Sequence, residues 1–438
     1  MTGANGQKKT KLKREISQLG FSAIALNGTI GAGIFALPAY AVGRAGYFSP
    51  WIYVFCGLLI MLIVLVFARV ASFFRDTGGP TTYVTQAFGP LAGFQVGWLL
   101  TLSRAAAFAA NAHLMVTYAG WFWEPLTDGA WHMTAVLLVC VGLTAINAAG
   151  LKQGLLAVFT FTLLKLVPLF GLMLLGLSHA SPEIFSSAHI PPLDSLGETA
   201  LVMFYAFVGF ETAVVPAGEA RKPRRDIPRA LVKTILAITV FYFLIQVVTV
   251  SVAPGIDSSK TPLADIALIL MGGFGAAALT LGAVFSISGN LTSSMLSAPR
   301  MVYAMAHLGS LPRWLGTVSE RSQTPANAIV AYGGLATLLA LSGGFVWLAA
   351  MSTVVRLLVY MAVVSTLPRL QQQMPGDEGK FQLPGGMTIP VLAFALSLWL
   401  LTHASLKSWV FTGGFILAGF VVYALVRLHR QVREIGTR

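Results

Sequence analysis

The chain has 438 residues, of which 56% are hydrophobic and only 10% charged, with a mean hydropathy of +0.76. Soluble domains carry about 25% charged residues, so the composition excludes a soluble globular domain and describes a polytopic, all-α membrane protein. The net charge of +13 is compatible with anionic lipid or nucleic acid, but its distribution along the chain follows membrane topology.

A basic run, Lys8 to Arg14, opens the chain without a signal-peptide core or cleavage site behind it, and reads as a retained cytoplasmic tail, residues 1–17. Twelve apolar spans follow, each near the ~20 residues a membrane helix needs. They fall at 18–43, 47–73, 88–121, 131–149, 153–178, 196–217, 229–253, 272–305, 326–343, 346–367, 388–404 and 409–427. With the N-terminus inside, cytoplasmic segments together with the cytoplasmic ends of spans hold 23 of the 29 Lys and Arg, three more lie within spans, and outer loops hold only Arg44, Lys260 and Lys407. That bias obeys the positive-inside rule and places both termini, including the tail 428–438, in the cytoplasm.

The first span contains NGTIGAGIFALP (27–38), with Gly28, Gly31 and Gly33 in six residues. Glycine costs about 1 kcal/mol against alanine inside a helix. Two readings of the stretch stand: a helix broken near mid-membrane to hold a small ligand, or a small-residue packing seam. The long spans 88–121 and 272–305 exceed the bilayer thickness and read as tilted helices. Their small-residue runs, AAAFAAN (105–111) and GAAALTLGAVFSISGN (275–290), suit an inner scaffold. The sixth span, SLGETALVMFYAFVGFETAVVPAGEA (195–220), is interrupted like the first, at Gly209–Phe210–Glu211 with Pro216 beyond. Two interrupted spans five apart indicate an inverted repeat of five helices, 18–178 and 196–367, with a site at the repeat interface. The two spans within 388–427 lie outside the repeat. This tips the opening motif toward a ligand site.

Four ionisable residues fall near mid-span: Arg104, Lys165, Glu211 and Arg356. A charge at the bilayer centre costs about 2.5–3.5 kcal/mol, so each should face the interior with a partner. Glu211 sits at the second break. Arg104 is read as its partner or as a ligand for an acidic substrate, with the pairing preferred. His113 reads as a hydrogen-bonded packing residue ahead of a proton carrier. Cys56 and Cys140 both lie in apolar runs and read as buried free thiols. No phosphate loop, metal-site, dithiol or Gly-x-Ser-x-Gly motif is present, and no loop is long enough for a catalytic domain. No catalytic residue, metal, cofactor or nucleic-acid partner is therefore expected.

These motifs resemble the amino acid–polyamine–organocation superfamily. GTIGAGIFALP matches its glycine-rich signature; FYAFVGFE with GEARKPRRDIPRA (218–230) matches its second, closest to the cationic amino acid transporters. GGPTTYVTQAFGPLAGFQVGW (78–98) and SAPRMVYAMAHLGSLP (297–312) extend the likeness over the first ten spans. The resemblance implies a secondary, alternating-access amino acid transporter and not an enzyme. Backbone N–H groups of Gly31, Ala32 and Gly33 would take the substrate carboxylate, and carbonyls of Thr29, Tyr205 and Val208 its ammonium. Tyr205 would close over the site and Gly209 keep the break open. Lys165, within TLLKLVPLFG, is similar to a family lysine that stands in for sodium, bridging the first helix toward eighth-span serines, here Ser288, Ser293 and Ser294. Sodium independence would follow, with proton coupling or exchange; a desolvated lysine can exchange its proton.

Two departures matter. Ala32 stands where many relatives have serine, and Arg104 where they have a small or neutral residue. An unpaired Arg104 would repel a cationic side chain. The leading expectation is a neutral amino acid as substrate, in a bacterial inner membrane, with protons as possible co-substrate. The alternatives are acidic or cationic amino acids or polyamines, and, from another class, a sensor or channel built on the same site.

Overall fold

A computed structural model describes residues 17–74, 79–150, 155–186, 190–214, 223–320, 322–376 and 380–436. The basic run at Lys8–Arg14 and Pro216 lie outside the described residues. Among those residues every regular element is a helix.

Local chemistry accounts for most boundaries. Helix α1, Gln18–Thr29, starts at Ser17, whose hydroxyl accepts from the Gly20 N–H at 3.3 Å. The helix is interrupted at Ile30–Ala32 and resumes as α2, Gly33–Ala45. Helix α3, Ser49–Ala71, carries Pro50 in its first turn, where no intrahelical N–H is needed. A short helix missed in the sequence, α4 (Pro80–Phe88), turns at Gly89 (φ +91°) into α5, Pro90–Ala119. Both begin on proline, so the paired Gly-Pro steps at 79–80 and 89–90 were the available signal. Next come α6 (Gly129–Ala148) and α7 (Leu155–Gly176).

The segment α8, Leu193–Met203, tightens into a 3-10 turn over Phe204–Phe207. It is then extended at Val208, left-handed at Gly209 (φ +114°), and 3-10 again over Phe210–Ala213. The remaining helices are α9 (Pro223–Val252), α10 (Pro262–His307), α11 (Ala326–Ser342), α12 (Phe345–Gln373), α13 (Thr388–Thr402) and α14 (Leu406–Gly436). Helix α10 breaks at Gly272 (φ 66°, ψ −169°), so the residue where the eighth span was expected to begin is a hinge inside a longer element.

Eight helical segments among the described residues are long and apolar enough to cross a membrane, and three shorter apolar helices accompany them. The protein is a polytopic membrane protein. Helices α3, α5 and α12 form its interior: α5 packs on α10, α11 and α12, while α3 packs on α9. The alanine run of α5 serves this role, since Ala105, Ala106, Ala109, Ala110 and Ala112 are fully buried and let neighbouring backbones approach. In α10 only one face is enclosed: Ala276 and Ala283 are buried, but Phe274 and Leu281 are exposed. Helices α6 and α14 are largely peripheral, with Leu138, Val141, Leu417 and Leu425 pointing outward. Exposed aliphatic faces of this kind match hydrocarbon lipid, not water. Cys56 and Cys140 are buried and unpaired.

Candidate functional site

The two interruptions meet. A Cβ on Gly28 would lie 2.8 Å from the Gly209 carbonyl oxygen, and one on Gly209 would lie 2.2 Å from the Gly28 carbonyl oxygen. A Cβ on Gly33 would lie 2.8 Å from the Ala206 Cα. The glycines thus serve backbone-to-backbone approach between the broken segments. Gly28, still inside α1, provides contact and not a bend. Gly209 alone also needs the left-handed conformation.

The break in the first segment leaves donors unspent. The Ile30 N–H bonds the Leu26 carbonyl at 2.8 Å, and the Gly31 N–H bonds the Thr29 carbonyl at 2.9 Å. The N–H groups of Ala32, Gly33 and Ile34 have no partner among the described residues. They are the orphan donors at the start of α2, where the helix dipole also favours an anion. Across from them the Val208 carbonyl accepts no hydrogen bond among the described residues, and the buried Thr29 hydroxyl is unpartnered. Among the described residues the Tyr205 carbonyl receives only the Val208 N–H, at 3.4 Å. The Tyr242 hydroxyl lies 3.1 Å from the Ala206 carbonyl and 3.4 Å from that of Thr29, tying the two breaks together.

Above the glycine motif lies a line of uncharged polar groups that the sequence did not disclose. The Tyr205 hydroxyl donates to Asn111 Oδ1 at 2.8 Å, and Asn111 Nδ2 donates to Asn290 Oδ1 at 2.8 Å. Asn290 Nδ2 sits 3.2 Å from where a Gly31 Cβ would be. Gly31 is therefore small because an amide from α10 rests on it. The Tyr205 ring packs edge-on against Phe345, 5.7 Å between centroids.

Lys165, on α7, reaches the first break. Its ammonium donates to Asn27 Oδ1 at 2.7 Å and to the Ile30 carbonyl at 2.8 Å, binding the side chain and the freed backbone of one broken end. The expected reach toward the eighth-span serines is not made. Ser288 donates to the Val284 carbonyl at 2.7 Å, Ser294 bonds the Tyr332 hydroxyl at 2.9 Å, and Ser293 is exposed.

The expected Arg104–Glu211 pair is also not made. Glu211 pairs with Arg356 on α12, Oε1 to Nη1 at 2.6 Å, with both side chains buried. Its second oxygen accepts from the Tyr360 hydroxyl at 2.8 Å and from the Gly209 N–H at 3.0 Å. Arg356 Nε donates to Ser103 Oγ at 2.8 Å, so the cluster joins the second break to both α5 and α12. Phe67, Phe210 and Tyr360 pack edge-to-face or tilted around it, with centroids 5.2–5.4 Å apart. Arg104 follows Ser103 in sequence and donates to Ser297 Oγ at 3.1 Å, near enough to feel the charges of Glu211 and Arg356 but without a direct ion pair to Glu211. One residue's rotation, about 100° on a helix, decides that Ser103 and not Arg104 bonds the paired guanidinium of Arg356.

The family model for amino acid permeases matches residues 16–426. The chain belongs to the amino acid permease family. The family, within the amino acid–polyamine–organocation superfamily, is one of transporters and not of enzymes. The permease is 25% identical to the serine/threonine exchanger SteT of Bacillus subtilis, over 93% of this chain and 95% of that one. It is 22% identical to the branched-chain amino acid permease BcaP of the same organism, over 99% and 97%. An uncharacterized transporter of Mycobacterium tuberculosis is 28% identical over 89% and 87%.

Of the site residues expected in the permease, Thr29, Gly31, Ala32, Gly33, Tyr205, Val208, Gly209, Glu211 and Lys165 surround the meeting breaks; Arg104 feels the charge of Glu211 without pairing with it, and Ser288, Ser293 and Ser294 make no bond to Lys165. Gly31 differs from expectation in detail, its N–H being spent on Thr29. The additional residues are Asn27, Asn111, Asn290, Arg356 and Tyr360, of which only Arg356 carried a sequence signal, as a mid-span charge. Gly209→Ala is expected to cost on the order of 3 kcal/mol through left-handed strain and overpacking and to abolish transport. Gly413→Ala is the control, because a Cβ there meets nothing within 4 Å. Unfolding midpoints in detergent and counterflow in proteoliposomes read both effects; equal behaviour of the two variants would refute the contact.

Proposed function

We propose that this permease is a secondary active amino acid transporter working by alternating access, with a neutral amino acid as substrate and no requirement for sodium. The observation that carries the reading is the row of unspent N–H groups at Ala32, Gly33 and Ile34, set against a second break with a free carbonyl at Val208. A zwitterion satisfies both ends. Its carboxylate takes the α2 donors, and its ammonium takes the Val208, Tyr205 and Thr29 carbonyls. Tyr205, Asn111 and Asn290 provide an uncharged polar wall, which suits a neutral side chain, as do the substrates named for the two Bacillus relatives. Lys165 holds Asn27 and the Ile30 carbonyl through its ammonium, so a sodium ion is not needed at that end. Proton coupling or exchange is then the source of drive.

The architecture proposed with this function is twelve spans, with inverted repeats at 18–178 and 196–367 and the helices of 388–427 outside them. Both termini are cytoplasmic in a bacterial inner membrane. The breaks at Ile30–Ala32 and Val208–Gly209 support the repeat, and the Lys and Arg distribution supports the orientation. Arg104, which makes no ion pair among the described residues, is the one feature favouring an acidic side chain.

Counterflow of a panel of labelled amino acids in proteoliposomes, with pH and sodium gradients imposed separately, tests the proposal. Exchange of neutral amino acids unaffected by sodium is the expected result. Binding without exchange would overturn transport in favour of a sensor; a sodium requirement would overturn the part given to Lys165; aspartate and glutamate as best substrates would move selectivity to Arg104.

A further inference from the structure

Two histidines meet between α5 and α6. His113 Nδ1 on α5 lies 3.0 Å from His132 Nε2 on α6. The outer nitrogens are both committed: His113 Nε2 lies 2.9 Å from the Ala340 carbonyl on α11, and His132 Nδ1 lies 2.8 Å from the Leu126 carbonyl in the 3-10 turn Glu124–Leu126. The rings are near-parallel, with centroids 5.2 Å apart.

A proton count follows from the chemistry of these contacts. Carbonyl oxygens only accept, so each outer nitrogen must carry a hydrogen. Two neutral imidazoles have two hydrogens in all, and both are then used. The inner nitrogens would face each other at 3.0 Å as two lone pairs. Moving one hydrogen to the middle only shifts the mismatch onto a carbonyl. Two imidazolium rings fail in the opposite way, with two N–H groups opposed. A single added proton satisfies all three contacts at once. We propose that His113 and His132 form a proton-binding site that holds one proton between Nδ1 and Nε2, fastening α5 to α6 while the outer nitrogens hold α11 and the Glu124–Leu126 turn.

The surroundings fit this occupancy. His113 is buried but His132 is only half-buried, next to the exposed loop that precedes α6, so the site can exchange protons with water. Asp128, four residues before His132, is ionised: its hydrogen bond to Lys260 holds its carboxyl below the usual range, and it lies close enough to feel the His132 charge. Glu124 is exposed at the head of the turn. On α5 the nearest other titratable group is Tyr118, whose hydroxyl donates to the Phe35 carbonyl. On α6 it is the buried Cys140. The final two turns of α11 carry none, and Lys407 reaches the Ser342 carbonyl beyond them. On α10, Asp265 accepts from Ser259. The carboxylate that senses the pair, Asp128, is already engaged by Lys260, which agrees with one proton and not two.

The full-length protein in lipid nanodiscs tests the site. The unfolding midpoint of the wild type is expected to fall by about 2 °C, the effect of one charge-assisted hydrogen bond in a chain of this size, as rising pH removes the shared proton. His132→Gln replaces that proton with an amide N–H, which donates to His113 at any pH, so its profile should lack this step. Parallel profiles for wild type and H132Q would overturn the proposal. Should H132Q fail to fold, the ¹⁵N histidine spectrum of the wild type in bilayers at pH 6 decides: one shared imidazolium is expected, and two neutral or two charged rings would overturn it.

Discussion

Arg356→Met is expected to destabilise the permease by about 3–5 kcal/mol, the cost of leaving a buried carboxylate without its cation. The cation lost is the one bonded to Glu211 Oε1 at 2.6 Å, and Tyr360 and the Gly209 N–H cannot supply its charge. The double variant Glu211→Gln with Arg356→Met removes both charges and should recover most of the stability, because an uncharged pair is not penalised by burial. Transport should not recover with it. The cluster links the second break to α5 through Ser103 and to α12 through Arg356 and Tyr360, and two-state movement of a broken segment depends on contacts that form and release as a unit. Unfolding in detergent reads the first effect and counterflow the second. Equal stability of the single and double variants would show that the pair is not an electrostatic unit. A swap of Arg104 and Glu211 should rescue nothing, since the direct partner of Glu211 is Arg356 and Arg104 bonds Ser297.

Lys165→Ala is expected to lower the exchange rate at least tenfold. Two charge-assisted hydrogen bonds are lost, each worth about 1.5–3 kcal/mol, and a tenfold change needs about 1.4 kcal/mol. The Asn27 amide and the Ile30 carbonyl would then lose the ammonium that fixes the broken end beside the α2 donors. Lys165→Arg should fail too, because a planar fork does not reproduce a compact ammonium bridging two oxygens. Measuring substrate binding alongside counterflow separates site damage from a block in the conformational cycle. Wild-type exchange by Lys165→Ala would remove the lysine from the mechanism.

Much of the fold was legible because its signals are local. Apolar runs marked the helices, proline and glycine marked several ends, and three glycines in six residues marked the first break. The second break was legible from Gly209 beside a charged residue in an otherwise apolar segment. The short helix α4 was missed because its nine residues lack an apolar run. The site was legible only where backbone geometry carries it. Asn111 and Asn290 are single polar residues in long helices, 179 positions apart, and nothing in their local sequence distinguishes a wall of the site from a packing contact. His113 was legible as a residue that needed a partner, but His132, close by in sequence, became that partner only when α5 and α6 turned back on each other.

By itself, then, the sequence determined that this protein lives in a membrane, where its helices run, where two of them break, and that four charges must find company inside. It determined these because hydropathy, backbone freedom and the cost of burying charge act within a few residues. Only the tertiary structure decided who meets whom: Glu211 with Arg356 and not Arg104, Lys165 with Asn27 and Ile30 and not the α10 serines, Gly28 with Gly209. Those choices depend on how each helix is rotated about its axis against neighbours more than a hundred residues away, and a step of one residue turns a side chain through about 100°.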